Sequence, residues 1–370
     1  MEKADKVAGN SFLVAIIIGA CITVLGLKFI SPILSFFGAT PEILPYAKDY
    51  IYVIFIGTIF YMFAVSSNNL IRAEGNAKVA MFSMMIGTGL NIPLDYVCIF
   101  VLNMGIKGAA IATVISQFPS FIFVFSYLYS GKSALKIKLH HLKPDINILK
   151  EIFAVGSSAF ARQIAGSVVG VVLNNSLKIY GTNLDISILG TVNKITMFLY
   201  MPLFGIVQGM QPIVGFNYGA KKMDRVKETV KLSLIGTTFM AVCGFLFSQI
   251  FATQIMGVFS TNTKFVQNGA AIMKVVVLMV PVIGIQIVGA TLFQSIGKAI
   301  PSLILSLLRQ VLLFIPLVII LPKYIGISGI WKSFPIADVG STIFTALLMI
   351  NEMKKITSEQ EKLELEYDEM

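Results

Sequence analysis

The chain has 370 residues, of which 56% are hydrophobic and only 13% charged, and its mean hydropathy is +0.82. A soluble domain of this size carries about a quarter charged residues, so soluble enzymes and soluble binding modules are excluded. The net charge of +10 would suit nucleic acid, but the basic residues sit in short clusters between long apolar runs, the distribution a bilayer demands.

In chain order, apolar runs bounded by charge, Gly and Pro predict spans near 11–30, 49–70, 79–100, 106–129, 150–177, 184–213, 232–258, 266–293, 300–321 and 327–350. The expected fold is therefore all-α, a polytopic membrane protein of about ten transmembrane helices. Lys3 and Lys6 ahead of an apolar stretch give the N-terminus the look of a signal peptide. That stretch outruns a signal core and is read as a span. An even count puts both termini on one side, and 18 of the 29 Lys and Arg fall on that side. By the positive-inside rule both termini are cytoplasmic. The basic runs 132–150 and 221–231 are expected to set topology against lipid headgroups.

Cys21, Cys98 and Cys243 all fall in apolar spans, odd in number and without CxxC spacing, and His140 and His141 are adjacent in a basic loop. Neither a disulfide framework nor a metal site is indicated. No GxxxxGK[ST] loop occurs, so ATP hydrolysis within the chain is not expected. The His and acid clusters of a membrane-embedded enzyme are missing too.

The chain repeats itself. Gly75 and Gly297 are 222 residues apart, Gly105 and Gly326 are 221 apart, and Ile92-Pro93-Leu94 matches Ile315-Pro316-Leu317 at 223. Asp5 and Val7 match Asp224 and Val226, and Phe37 matches Phe259. Near-constant offsets at equivalent places in the topology favour a duplication. The offset carries a span onto the sixth after it, so the two copies share one orientation in the membrane, as in transporters with parallel repeats. The copies are unequal, four spans against six. The simplest reading is a 6+6 protein without its first two helices, and a true 4+6 protein is the alternative. The expected division is an N-terminal lobe at 1–130, a basic cytoplasmic loop at 131–149, a C-terminal lobe at 150–351 and a cytoplasmic tail at 352–370. The tail is expected to be a short helix or disordered.

Asp95 is the principal candidate for chemistry, because an acid within a span is costly unless protonated, paired or wet. Asn91 lies one turn earlier on the same face, and Pro93 between them removes a backbone donor. Counting residues from the outer edge at about 1.5 Å each, Thr113 on the antiparallel neighbour reaches the same depth. Carboxylate, amide and hydroxyl oxygens suit a hard cation such as Na⁺, and the carboxylate alone would serve a proton. The competing reading is a carboxylate that only accepts hydrogen bonds at a helix end. Arg162, Lys194, Lys274 and Arg309 are intramembrane bases for which packing or pairing is favoured over substrate contact, with Arg309-Gln310 a candidate for holding the lobes in register. Asp338 is expected to bond within the C-terminal lobe. Gln163, Asn174 and Asn175 are polar enough to face a cavity, though interhelical hydrogen bonds would serve them equally. Met197, Phe198, Met201 and Phe204 form a stripe that suits either an adaptable apolar pocket or ordinary packing.

Arg72-Ala73-Glu74-Gly75-Asn76, Asn91-Ile92-Pro93-Leu94-Asp95 and Gly108-Ala109-Ala110-Ile111-Ala112-Thr113 together resemble motifs of the multidrug and toxic compound extrusion (MATE) family. So do the string from Gly209-Met210-Gln211-Pro212 to Phe216-Asn217-Tyr218-Gly219-Ala220, and Pro335-Ile336-Ala337-Asp338. The resemblance covers the chain to about residue 350 and aligns it with the third to twelfth helices of a twelve-helix family. It implies a monomeric exporter in a bacterial cytoplasmic membrane, without a cofactor, that expels small amphipathic cations by alternating access in exchange for Na⁺ or H⁺. It further implies a cation site at Asp95, Asn91 and Thr113, and a substrate cavity to which Arg162, Gln163, Asn174, Asn175, Met197 and Met201 are assigned. The family's N-terminal site uses another acid from a helix that would precede Met1. The acids of its second site in some branches have no match in 150–177 or 266–293 beyond Glu151 at an edge. A lipid-linked oligosaccharide flippase of the related fold and an inactive truncated exporter are the alternatives.

Overall fold

A computed structural model describes residues 2–36 and 44–368. Phe37, matched with Phe259 in the repeat, lies outside the described residues. Chain order runs α1 (Glu2–Lys28), α2 (Ile30–Phe36), α3 (Leu44–Ala73), α4 (Ala77–Tyr96), a π-helical turn (Val97–Val101) and α5 (Gly105–Tyr129). It continues with α6 (Ile146–Tyr180), α7 (Asn183–Gly219), α8 (Met223–Ile250), α9 (Ala252–Phe259), α10 (Thr263–Val276) and α11 (Val280–Ser295). The last elements are α12 (Ala299–Leu307), a second π-helical segment (Leu308–Phe314), α13 (Ile315–Ile325) and α14 (Ile327–Asp368). Helices are the expected outcome where lipid offers no partner to a backbone N–H or C=O.

Among the described residues nine helices are long and apolar enough to cross a membrane, and the count is ten if α10 and α11, bent by 48° at their junction, form one broken span. Pro281 in the first turn of α11 cannot donate a backbone bond across that break. Side chains cap some of the helix starts. Asn76 accepts from the Val79 N–H at the start of α4, and Asn262 accepts from the Lys264 and Phe265 N–H groups at the start of α10. α14 runs unbroken from the last expected span through the expected tail to Asp368. Buried Glu352, at the start of the expected tail, is held by the Lys298 ammonium at 2.5 Å.

The chain forms two compact units, Met1–Ile152 and Phe153–Met370. In the first, Phe12 stacks on Phe63 at 4.7 Å and the rings of Phe60, Phe63, Phe118 and Phe121 interlock between α3 and α5. The basic stretch after α5 is fastened to this bundle. Asn10 on α1 donates to the His141 and Lys143 carbonyls and accepts from the Asp145 N–H at 2.9 Å. Glu74 accepts from Ser133 and the Ala134 N–H. In the second unit a core of α7, α8, α10, α11, α13 and α14 residues surrounds Leu203, Met273, Val280, Ile283, Val318 and Ile330.

The internal repeat is visible in backbone detail. Gly75 (φ +91°) and Gly297 (φ +76°) make equivalent left-handed turns, as do Gly105 (φ +55°) and Gly326 (φ +60°). A Cβ at Gly108 would lie 2.7 Å from the Cys98 carbonyl oxygen, and one at Gly329 would lie 2.8 Å from that of Leu321. The buried stripe Ala112, Ser116, Ser120, Val124 and Leu128 of α5 is repeated 221 residues later by Ser333, Ala337, Ser341, Thr345 and Met349 of α14. On α3 and α11 the offset is 222, with Ser67 and Ile71 buried opposite the buried positions Gly289 and Phe293. Along α4 and α12 it is 222 at the buried pairs Ala80/Ser302 and Ser83/Leu305, then 223 at Pro93/Pro316. The extra residue is absorbed by the π-helical segment 308–314, since a π turn accommodates one more residue than an α turn.

Gly108→Ala and Gly329→Ala should each cost about 1–3 kcal/mol, because the added methyl meets backbone that cannot rotate away. The check is thermal unfolding of the detergent-purified chain. Gly190→Ala, where nothing lies within 4 Å of a Cβ, should be neutral or slightly stabilising. Three equal shifts would contradict the close approaches.

Candidate functional site

Polar residues spaced three and four apart fall on one stripe of each of three first-unit helices. On α3 they are Asn68, Asn69 and Arg72, on α4 Thr88 and Asn91, and on α5 Thr113, Ser116, Gln117 and Ser120. The three stripes face a common cavity of about 300 Å³, walled on its apolar side by Tyr61, Ala64, Val65, Met84 and Gly87. Arg72 closes one end and donates to the Met84 sulfur at 3.1 Å. Asn91 and Thr113 mark the other, seven residues or about 10 Å along α4 from Met84.

The hydrogen bonds in the wall run in a fixed sense. Ser120 has one hydroxyl hydrogen, which it donates to the Ser83 carbonyl at 2.8 Å. Ser83 must therefore supply the hydrogen in the 2.9 Å contact between the two hydroxyls, and the Asn68 amide donates to Ser83 at 3.3 Å. Thr113 donates to the Ala109 carbonyl and Ser116 to that of Thr113. These hydroxyls have committed their hydrogens to backbone or to each other, and only lone pairs are left for anything in the cavity. Three nearby side-chain atoms are buried without a partner: Asn68 Oδ1, Asn91 Nδ2 and Asp95 Oδ1. Turning the Asn91 carboxamide over would present its oxygen in place of the nitrogen. An acceptor-rich wall with orphaned polar atoms suits a cation and its remaining waters.

The structure brings Asn91 and Thr113 to the same end of one cavity. Asp95 is one turn further along α4, about 6 Å by helical rise, half-buried and outside the cavity wall. Among the described residues it makes no ion pair. The remaining candidates are elsewhere. Gln163, Asn174 and Asn175 are exposed on α6, Arg162 is half-buried there, and Met197 and Met201 are 63% and 50% exposed on α7. None of these six lines the α3–α4–α5 cavity. Lys194 and Lys274 are exposed. Arg309, expected to hold the lobes in register, instead pairs with Asp338 inside the second unit.

Sequence reasoning passed over Asn68, Asn69, Arg72, Gln117 and the Ser83–Ser120 pair. Their signal was present as hydroxyls and amides recurring every three or four residues within apolar spans. The second unit has no counterpart of the candidate trio. At offsets of 223, 223 and 221, the positions of Asn91, Asp95 and Thr113 are taken by Phe314, Val318 and Phe334. The two rings meet edge to face at 4.6 Å and Val318 is buried.

Nine or ten candidate spans among the described residues, a duplicated helical bundle and an acceptor-lined cavity within the first copy define a polytopic membrane protein of the transporter class. The family model MatE matches residues 1–97 and 159–320, and the chain belongs to that family. It is 27% identical to the multidrug export protein MepA of Staphylococcus haemolyticus over 98% of this chain and 79% of that protein. Against MepA of Staphylococcus aureus it is 27% identical over 91% of this chain and 74% of that one. An outward-facing multidrug resistance MATE transporter of the MOP superfamily superposes with a TM-score of 0.91 at 25% identity, covering 96% of this chain and 80% of the other. A MOP superfamily transporter from Pyrococcus furiosus, described as having a binding pocket of reversed polarity, gives the same figures. The chain is a multi-pass bacterial membrane protein.

Ser83→Ala and Ser120→Ala should each destabilise the chain by about 1 kcal/mol. The double variant should fall short of the sum by about 0.6 kcal/mol, the usual scale of such bonds in membrane proteins. A double-mutant cycle on thermal unfolding measures this, and strict additivity would show the two hydroxyls to be independent.

Proposed function

We infer that the chain is a secondary active multidrug exporter that expels amphipathic cationic compounds in exchange for Na⁺ or H⁺ by alternating access. The observation that carries this reading is the acceptor-lined cavity ending at Asn91 and Thr113, with the orphaned Asp95 carboxylate oxygen one turn beyond. Membership of the MatE family and the printed function of the MepA relatives support it. In this reading Asn91, Thr113 and Asp95 bind the coupling ion. Asp95 supplies the charge, and the amide and hydroxyl replace part of the hydration shell. Protonation of Asp95 would relieve the same unmet polar demand, so one site serves either ion. Met197 and Met201 present flexible, polarizable surface to apolar substrates, with Arg162, Gln163, Asn174 and Asn175 as the polar part of that substrate surface. Both termini are cytoplasmic by the distribution of Lys and Arg.

The test is ethidium efflux from cells expressing the full chain, with membrane levels matched by immunoblot. Asp95→Asn should reduce gradient-dependent efflux at least about tenfold, the loss of about 1.4 kcal/mol or more of ion binding. Asn91→Ala and Thr113→Val should each raise the half-saturating Na⁺ concentration or shift the pH profile without abolishing transport. Efflux unchanged in Asp95→Asn would sink the assigned ion site. Failure of the parent to move ethidium and other cationic dyes would sink the exporter reading itself.

A further inference from the structure

The second unit holds an ion pair whose carboxylate is buried and whose guanidinium is partly exposed. Arg309 Nε donates to Asp338 Oδ1, and its Nη2 lies 3.5 Å from the Tyr200 hydroxyl. Asp338 is 1% exposed. Gln286 donates to the Asp338 carbonyl at 2.9 Å and to Thr342 at 2.7 Å, while Asp338 Oδ2 is buried without a partner. Burying the carboxylate of such a pair is costly, and apolar residues of similar volume usually serve stability as well or better. Packing alone does not account for it.

The repeat supplies the missing context. Gln286 stands where the first unit has Ala64 and Arg309 where it has Gly87, both at an offset of 222. Asp338 stands at Gln117, offset 221. Ala64, Gly87 and Gln117 all line the first unit's cavity. The volume that is open in one copy is thus the volume that the Arg309 side chain fills in the other, against a carboxylate the first copy does not have there. The π-helical segment 308–314 begins one residue before Arg309, so the backbone departs from α geometry at the position that carries the guanidinium.

We propose that Arg309 is a tethered cation that permanently occupies a cation site built from the Asp338 carboxylate and the Tyr200 hydroxyl in the second unit. The guanidinium pairs with Asp338 and denies the site to exchangeable ions, so ion exchange belongs to the first unit alone. The occupant that Arg309 displaces is a small inorganic cation, because the carboxylate has an oxygen to spare and the Tyr200 hydroxyl adds a neutral oxygen. The restriction of exchange to the first unit rests on the reading of Asp95 above. The latent site does not, and its test is therefore made in an Asp95→Asn background.

The full chain is reconstituted in lipid nanodiscs, and ²²Na⁺ binding is measured at alkaline pH against choline. Asp95→Asn should show no saturable Na⁺ site. Arg309→Gly added to it should create one, which a further Asp338→Asn removes. Methylguanidinium at millimolar concentration should compete with that Na⁺ and raise the unfolding temperature of the Arg309→Gly chain but not that of the chain lacking Asp338. A folded Arg309→Gly chain that binds no added Na⁺ and ignores methylguanidinium overturns the proposal and leaves the pair a packing device. Should Arg309→Gly not fold, Arg309→Lys and Arg309→Met decide. Lys should melt near the parent, and Met well below it unless Asp338→Asn is also present; equal melting of Lys and Met variants overturns the tethered-charge reading. Residual Na⁺ binding in Asp95→Asn alone bears on the first-unit site, and that signal is subtracted before the Arg309 comparison is made.

Discussion

Hydrocarbon offers no hydrogen bonds, and that constraint orders everything else in this molecule. A chain that crosses the bilayer many times must satisfy its backbone within each helix and its polar side chains against neighbouring helices. The exceptions therefore carry information. In the first unit Asn68 and Asn91 each leave an atom unmet in the wall of one cavity and Asp95 leaves one a turn beyond it, while neighbouring hydroxyls spend their hydrogens on the backbone. In a soluble protein such atoms would turn to water at little cost. Here each is worth a kilocalorie or more of unmet demand, which a bound cation with its waters would relieve.

Much of the fold was legible before any coordinates, because the signal that writes a span is long and redundant. Twenty apolar residues survive a local ambiguity that would undo a short strand. The bend between α10 and α11 was not legible, since Pro281 near an otherwise apolar start reads equally as a kink or a first-turn proline. Helical rise alone brought Asn91 and Thr113 to one depth. The same arithmetic did not place Asp95, because being at the right depth says nothing about which way a side chain points once a π turn follows. Gln163, Asn174 and Asn175 show the opposite limit. Amides in an apolar span announce that something polar must meet them, but the sequence holds no sign of what, and on α6 they are exposed.

The offsets of the repeat, 221, 222 and 223 in different helices, are structural facts and not noise. Each unit inserts its π segment at a different place on the same helix pair, at 97–101 in the first and 308–314 in the second. A one-residue insertion rotates everything beyond it by about 100° unless the helix widens to absorb it, and widening is what a π turn does. The buried stripes of α5 and α14 therefore stay in register through five successive pairs. Position-by-position comparison of the two units is legitimate only because of that.

Taken in register, the two copies show one scaffold committed to opposite ends. Glycine at 87 leaves room between α4 and α5, and arginine at 309 fills that room from the same backbone position. Asn91 and Thr113 face each other across an open end, while Phe314 and Phe334 close the equivalent end with an edge-to-face contact. The helices, turn glycines and close approaches at Gly108 and Gly329 are common to both, so nothing in the architecture dictates which copy is open. The difference rests on a few side chains. A duplicated bundle that needs only one exchangeable ion site still has to dispose of the second cavity. An empty one would cost packing energy that grows with its volume, whereas a charged plug anchored by Asp338 fills the space and keeps competing cations out.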